Sequence, residues 1–173
     1  MNIRSNKNMG DGDQYNIGNY YQNYAESKDS AIQNLLLGIL NIEENEYSPL
    51  VEDDYDPFSI ENKINFNNIN IYNKFFDKYQ DNYSIVESRL NSLELNGHPG
   101  IRKVIIDYVA KKYRMLSFKG LSPDDIICIL DEKITQELES RYLSFLSLEE
   151  ISHAESVIFH VFAKCEIFDK PPN

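Results

Sequence analysis

The chain has 173 residues, a formal net charge of −11 and a hydrophobic fraction of 42%. That length suits one domain with an appended arm and can bury a core without staples. The charge argues against direct nucleic-acid binding by the whole surface, since phosphate contacts need an excess of Lys and Arg, and it fits a basic partner surface better.

Residues 1–29 stand apart, holding three of the seven Gly and four of the 12 Tyr. Gly10 to Asp13 suit a turn, and Tyr15, Ile17 and Tyr21 share one parity. This arm reads either as a short strand or as a disordered tail. A lone strand cannot satisfy its own backbone, so it would pair with another chain. Tyr15, Ile17, Tyr20, Tyr21 and Tyr24 are then the candidates for self-association into a homo-oligomer.

A first helix is expected from Ser30 to Asn41, with Ile32, Leu35, Leu36, Ile39 and Leu40 as its apolar stripe. Residues 43–57 follow, rich in Glu and Asp, without a base and punctuated by Pro49 and Pro57, and they read as an exposed linker. A calcium loop is excluded, because a frame starting at Asp54 places Ser59 and Asn65 where Gly and Glu are needed. The expected organisation is an arm over 1–29, a short helix and acidic linker over 30–57, and a helical bundle domain over 58–173.

Four helices are expected in that domain. The first runs from Ile71 to Leu95, with an irregularity at Asn82 and Tyr83. Asn96-Gly97-His98-Pro99-Gly100 breaks the chain, and the second helix runs from Ile101 to Phe118. The third starts at Ser122-Pro123-Asp124-Asp125, where Ser can cap, Pro suits the first helical position and acids meet the positive helix end. The fourth runs from Leu148 to Ile167. Short connections favour antiparallel neighbours, so the fold class is mainly α, a compact helical bundle.

Catalytic and metal-binding patterns are not supported. Glu150 and His153 make a single E-x-x-H, where a di-iron bundle needs two. His153 and His160 fall on one helical face and suit a polar interface patch. Cys128 and Cys165 sit in apolar helical patterns, as small hydrophobes do. The chain is therefore expected not to be an enzyme and to need no cofactor or metal. No stretch approaches the roughly 18 apolar residues of a membrane span, and no apolar leader is present, so the cytoplasm is the expected location and no membrane partner is implied. Against the acidic whole, Arg102, Lys103, Lys111, Lys112, Arg114 and Lys119 cluster on and after the second domain helix. They read as a solvated helix face, or as a basic ridge (Lys111, Lys112, Arg114 and Lys119) that meets an acidic partner or a nucleic-acid backbone.

Two stretches carry a family resemblance. One is Ser59-Ile60-Glu61-Asn62-Lys63-Ile64-Asn65-Phe66-Asn67-Asn68, and the other is His153 to Phe168 followed by Asp169-Lys170-Pro171. Over residues 56–171 they resemble the helical C-terminal domain of bacterial ABC-three-component defence systems, the Lamassu type among them. The resemblance implies a module connecting an effector to an SMC-like ABC ATPase and a further subunit. Nucleases or proteases often precede the module, whereas only the arm and one helix do so here. A stand-alone, non-catalytic adaptor in an anti-phage or anti-plasmid complex is therefore the expectation. The residues implied for docking are Ile60, Lys63, Phe66, Cys165, Ile167 and Phe168, with burial in the core as their other reading. An acidic immunity protein that occupies a basic toxin or enzyme is the alternative.

Overall fold

The computed structural model describes residues 17–42, 60–70, 76–142, 146–164 and 167–172, with only the backbone at 17–27, 76–81 and 142. Its elements in chain order are α1 (Ile17–Ile42), α2 (Ile60–Phe66), α3 (Phe76–Leu95), α4 (Ile101–Ser117), α5 (Pro123–Tyr142), α6 (Leu148–Ile151) and α7 (Ala154–Ala163). Every described element is helical, so the mainly α reading holds.

The helix boundaries carry the corrections. Helix α1 begins at Ile17, ahead of the expected Ser30, and so takes in part of the segment read as an arm. Tyr20, Tyr21, Tyr24 and Ala25 are compatible with helix once Ser30–Ile42 supplies a packed nucleus to extend. Tyr15 and the acidic linker lie outside the described residues. Helix α3 runs unbroken through Asn82 and Tyr83. Asn82 is buried and donates to Ser156 Oγ at 2.9 Å, so a polar pair across α3 and α7 sits where an irregularity was expected.

The expected last helix is two helices. Ser147 and Glu150 form a capping box that starts α6: Ser147 Oγ accepts from Glu150 N, and the Glu150 carboxylate accepts from Ser147 N. Asn34 of α1 donates to the same carboxylate at 2.6 Å. Ser152 Oγ then bonds Glu149 O at 2.6 Å, and His153 takes φ −87°, ψ 3°, so the run stops before α7 restarts. Helix α7 also ends at Ala163, short of Ile167.

The other ends follow local chemistry. Ser122 Oγ accepts from Asp125 N at 3.2 Å at the start of α5, and Pro123 occupies the first helical position. At the end of α3, His98 N bonds back to Leu93 O at 3.0 Å, and Gly97 at φ 106° makes the left-handed turn which that closure requires.

One core joins these pieces. Ile32, Leu35, Leu36 and Ile39 of α1 are fully buried together with Leu90, Ile105, Leu130, Leu138 and Val161. Helix α7 is buried on nearly every side, as expected of a helix that is apolar all round. Each fully buried Leu or Ile contributes about 1.5–3 kcal/mol relative to exposure. Gly38 lets α1 approach the segment before α6, since a Cβ there would lie 2.7 Å from Leu146 Cδ1. Cys128 departs from the apolar reading: it is exposed on α5.

Candidate functional site

The docking residues expected from the two ends of the domain are brought together, but mostly as structure. Lys63 of α2 is 1% exposed. Its ammonium donates to Phe162 O at 2.6 Å and to Ile167 O at 2.8 Å, and it lies 4.4 Å from the Phe162 ring centroid. A cation at the carbonyl end of α7 complements the helix dipole and satisfies carbonyls that the helix leaves open. Asn67 continues the clamp, exchanging two hydrogen bonds with the Asp169 backbone at 2.9 and 3.0 Å. Phe168, at φ 63°, packs its ring on Tyr113 and Phe162. Ile167 is buried and Ile60 is half-buried against the core. The side chains of Lys63 and Ile167 are thus inaccessible to a partner, Phe66 is 46% exposed, and Cys165 lies outside the described residues.

In the self-association set, Ile17, Tyr20, Tyr21 and Tyr24 now occupy positions i, i+3, i+4 and i+7 of a helix. That spacing places them on one face of α1.

The basic ridge divides. Arg102 belongs to α4 but serves α3, donating to Glu87 at 2.9 Å and to Asn91 at 2.6 Å. Lys111 and Arg114 are exposed on α4. Lys112 and Lys119 instead line a groove of about 570 Å³ between α4 and α5, with Met115 and Leu116 beside them. Lys133, Gln136, Glu137, Ser140 and Arg141 form its α5 wall. Glu137 of that wall is paired with Lys112, lies 3.3 Å from Arg141 and accepts from Tyr108 OH at 3.1 Å. Burial works to raise its carboxyl, but Lys112, the Tyr108 hydroxyl and Arg141 outweigh that and hold it below the usual carboxylate range. The α5 half of the groove was missed in the sequence, although Lys133, Glu137 and Arg141 recur every four residues on one helical face.

His160 is not at an interface patch. It is fully buried in α7, stacked on Tyr83 at 5.1 Å, with Nε2 3.5 Å from Glu87 Oε2. Burial pushes its pKa down to about 3 despite the Glu87 carboxylate, aided by the charges of Lys164 and Arg102, so it is neutral at pH 7. Glu150 of the E-x-x-H serves the α6 cap. Among the described residues no group of three His, Cys, Asp or Glu side chains could hold a metal ion, and no helix is long and apolar enough to cross a membrane.

No curated protein and no solved structure matches the chain. The family described as C-terminal domain 10 of the ABC-three component (ABC-3C) systems matches residues 30–169, from the buried half of α1 to the tail held by Asn67. With most of the chain and all of its described core inside that match, this protein belongs to the family of C-terminal domain 10 of the ABC-three component systems.

Proposed function

We propose that the chain is a non-catalytic adaptor subunit of a Lamassu-like anti-phage or anti-plasmid complex, docking on an SMC-like ABC ATPase in the cytoplasm. The observation that carries this reading is the family match over residues 30–169, since the family is defined by systems of several components. Within the matched residues, Glu150 serves the α6 cap and Lys63 holds α2 to the end of α7. Self-association runs through the face of α1 that carries Ile17, Tyr20, Tyr21 and Tyr24, by helix pairing in place of strand addition.

A mild-salt pull-down of the tagged full-length chain from its native host, with the eluate identified by mass, tests the reading. An ABC ATPase in the eluate is the expected result. A lone small basic enzyme or toxin would replace the adaptor reading with that of an inhibitor. Removal of residues 1–29 should lower the oligomeric state and leave the core, which begins at Ala31, folded. An unchanged mass would rule out the α1 face as the contact.

A further inference from the structure

The groove between α4 and α5 is a local reversal of charge on a chain whose net charge is −11. Its cations form two rows. Lys112 on α4 and Lys119 just past its end make one, and Lys133 and Arg141, about two turns apart on α5, make the other. Glu137 already engages Lys112 and Arg141. Lys119 and Lys133 are exposed, and among the described residues no ion pair or hydrogen bond holds either of them. On the α4 wall, between Lys112 and Lys119 in the chain, lies Met115, 68% exposed, a flexible apolar side chain of the kind that adapts to varied partners.

We propose that this groove docks an acidic peptide segment carrying an apolar anchor, supplied by another subunit of the ABC-three component assembly. The proposal rests on the adaptor reading above and specifies the chemistry of one of its contacts. Carboxylates on the docked segment meet Lys119 and Lys133, and an aliphatic or aromatic side chain covers Met115. Charge complementarity steers such a segment to this face, because the rest of the surface repels it. A nucleic-acid backbone fits less well. Its evenly spaced phosphates would carry charge past Glu137, and its backbone offers no aliphatic side chain to cover Met115. A volume of about 570 Å³ accommodates a few side chains and not a duplex.

The test uses the purified full-length chain in low salt and fluorescence anisotropy. The probes are a labelled synthetic Glu/Leu peptide, a Gln/Leu peptide of equal length and a short labelled DNA duplex. The Glu/Leu peptide should bind at least about tenfold more tightly than the Gln/Leu peptide, and the double variant Lys119→Glu, Lys133→Glu should remove that preference. Lys119→Ala with Lys133→Ala should weaken it by a smaller factor, and both double variants should melt with the wild type because both positions are exposed. Equal binding of the two peptides, full binding by the reversed variant, or binding of the duplex in preference to the Glu/Leu peptide would overturn the proposal. The adaptor reading fails separately. An empty native pull-down with peptide preference intact would sink that reading and leave an acidic-peptide groove, whereas a recovered ATPase without peptide preference would sink the groove alone.

Discussion

Lys63 and Lys119 are the same residue type in opposite circumstances. Lys63 is enclosed and gives its protons to Phe162 O and Ile167 O, so its charge is spent on holding α2 to the end of α7. Lys119 stands at the rim of a groove with its charge facing solvent. A buried cation answers to the fold and an exposed one is free to answer to a partner. The difference separates a residue whose loss should unfold the protein from one whose loss should only isolate it.

The sharpest way to break this comparison is to remove the buried cation. Lys63→Met keeps the length of the stem but removes the charged donor from Phe162 O and Ile167 O, and it should cost about 3–5 kcal/mol in urea unfolding, from two hydrogen bonds to that donor. A cost below about 1 kcal/mol would mean that the clamp contributes little.

The next effect is on pH dependence. The pKa of His160 falls from 6.5 to about 3 on folding, so the unfolded chain binds the extra proton between those values. Stability supplied by neutral burial is therefore complete above 6.5 and is lost as pH falls toward 3, at a limiting slope of about 1.4 kcal/mol per pH unit. Asp131 works the other way: burial, with Glu155 and Glu132 beside it, raises its carboxyl to about 6, which favours the folded state as pH falls through that value. Comparing wild type with His160→Leu isolates the histidine, and the variant should show a shallower loss of stability below 6.5. Parallel pH profiles would contradict its assignment as a buried neutral ring.

A smaller effect sharpens the groove. Glu137→Gln releases Lys112 and Arg141, and should cost about 1 kcal/mol of stability while increasing affinity for the Glu/Leu peptide. Unchanged affinity would show that the groove's charge does not set its selectivity. The smallest stability change is expected for Lys119→Glu with Lys133→Glu, within about 0.5 kcal/mol of wild type by thermal melting.

Much of this architecture was legible in the sequence because burial follows period. Ile32 to Leu40, Ile101 to Val109 and Ile126 to Leu138 were readable as stripes, and each stripe is buried. The start of α5 was readable from Ser122-Pro123, which acts locally. Tertiary effects were less legible. The N-terminal turns of α1 have a composition suited to tail or strand, yet they extend a helix nucleated by its packed half. The break at Ser152 and His153 lies inside an unbroken apolar pattern, and only the capping box at Ser147 and Glu150 hints at a separate short helix. Of the candidate site, the two segments containing Lys63 and Ile167 were identified, but their roles were not, because nothing in a linear pattern says that a lysine will meet carbonyls about a hundred positions away. The groove was half visible: the lysines on and after α4 announced themselves as a cluster, while the α5 wall is dispersed at helical spacing among acids.

If exposed charge holds the partner on a fold locked by buried charge, reversing the exposed charge should release the partner without unfolding the chain. Co-purification of the ABC ATPase from the native host with tagged wild type, and with Lys119→Glu, Lys133→Glu expressed at the same level, tests it most directly. The wild type should bring down the ATPase, and the variant, equally folded, much less. A wild-type chain that elutes alone, or a variant that retains the ATPase in full, would contradict it.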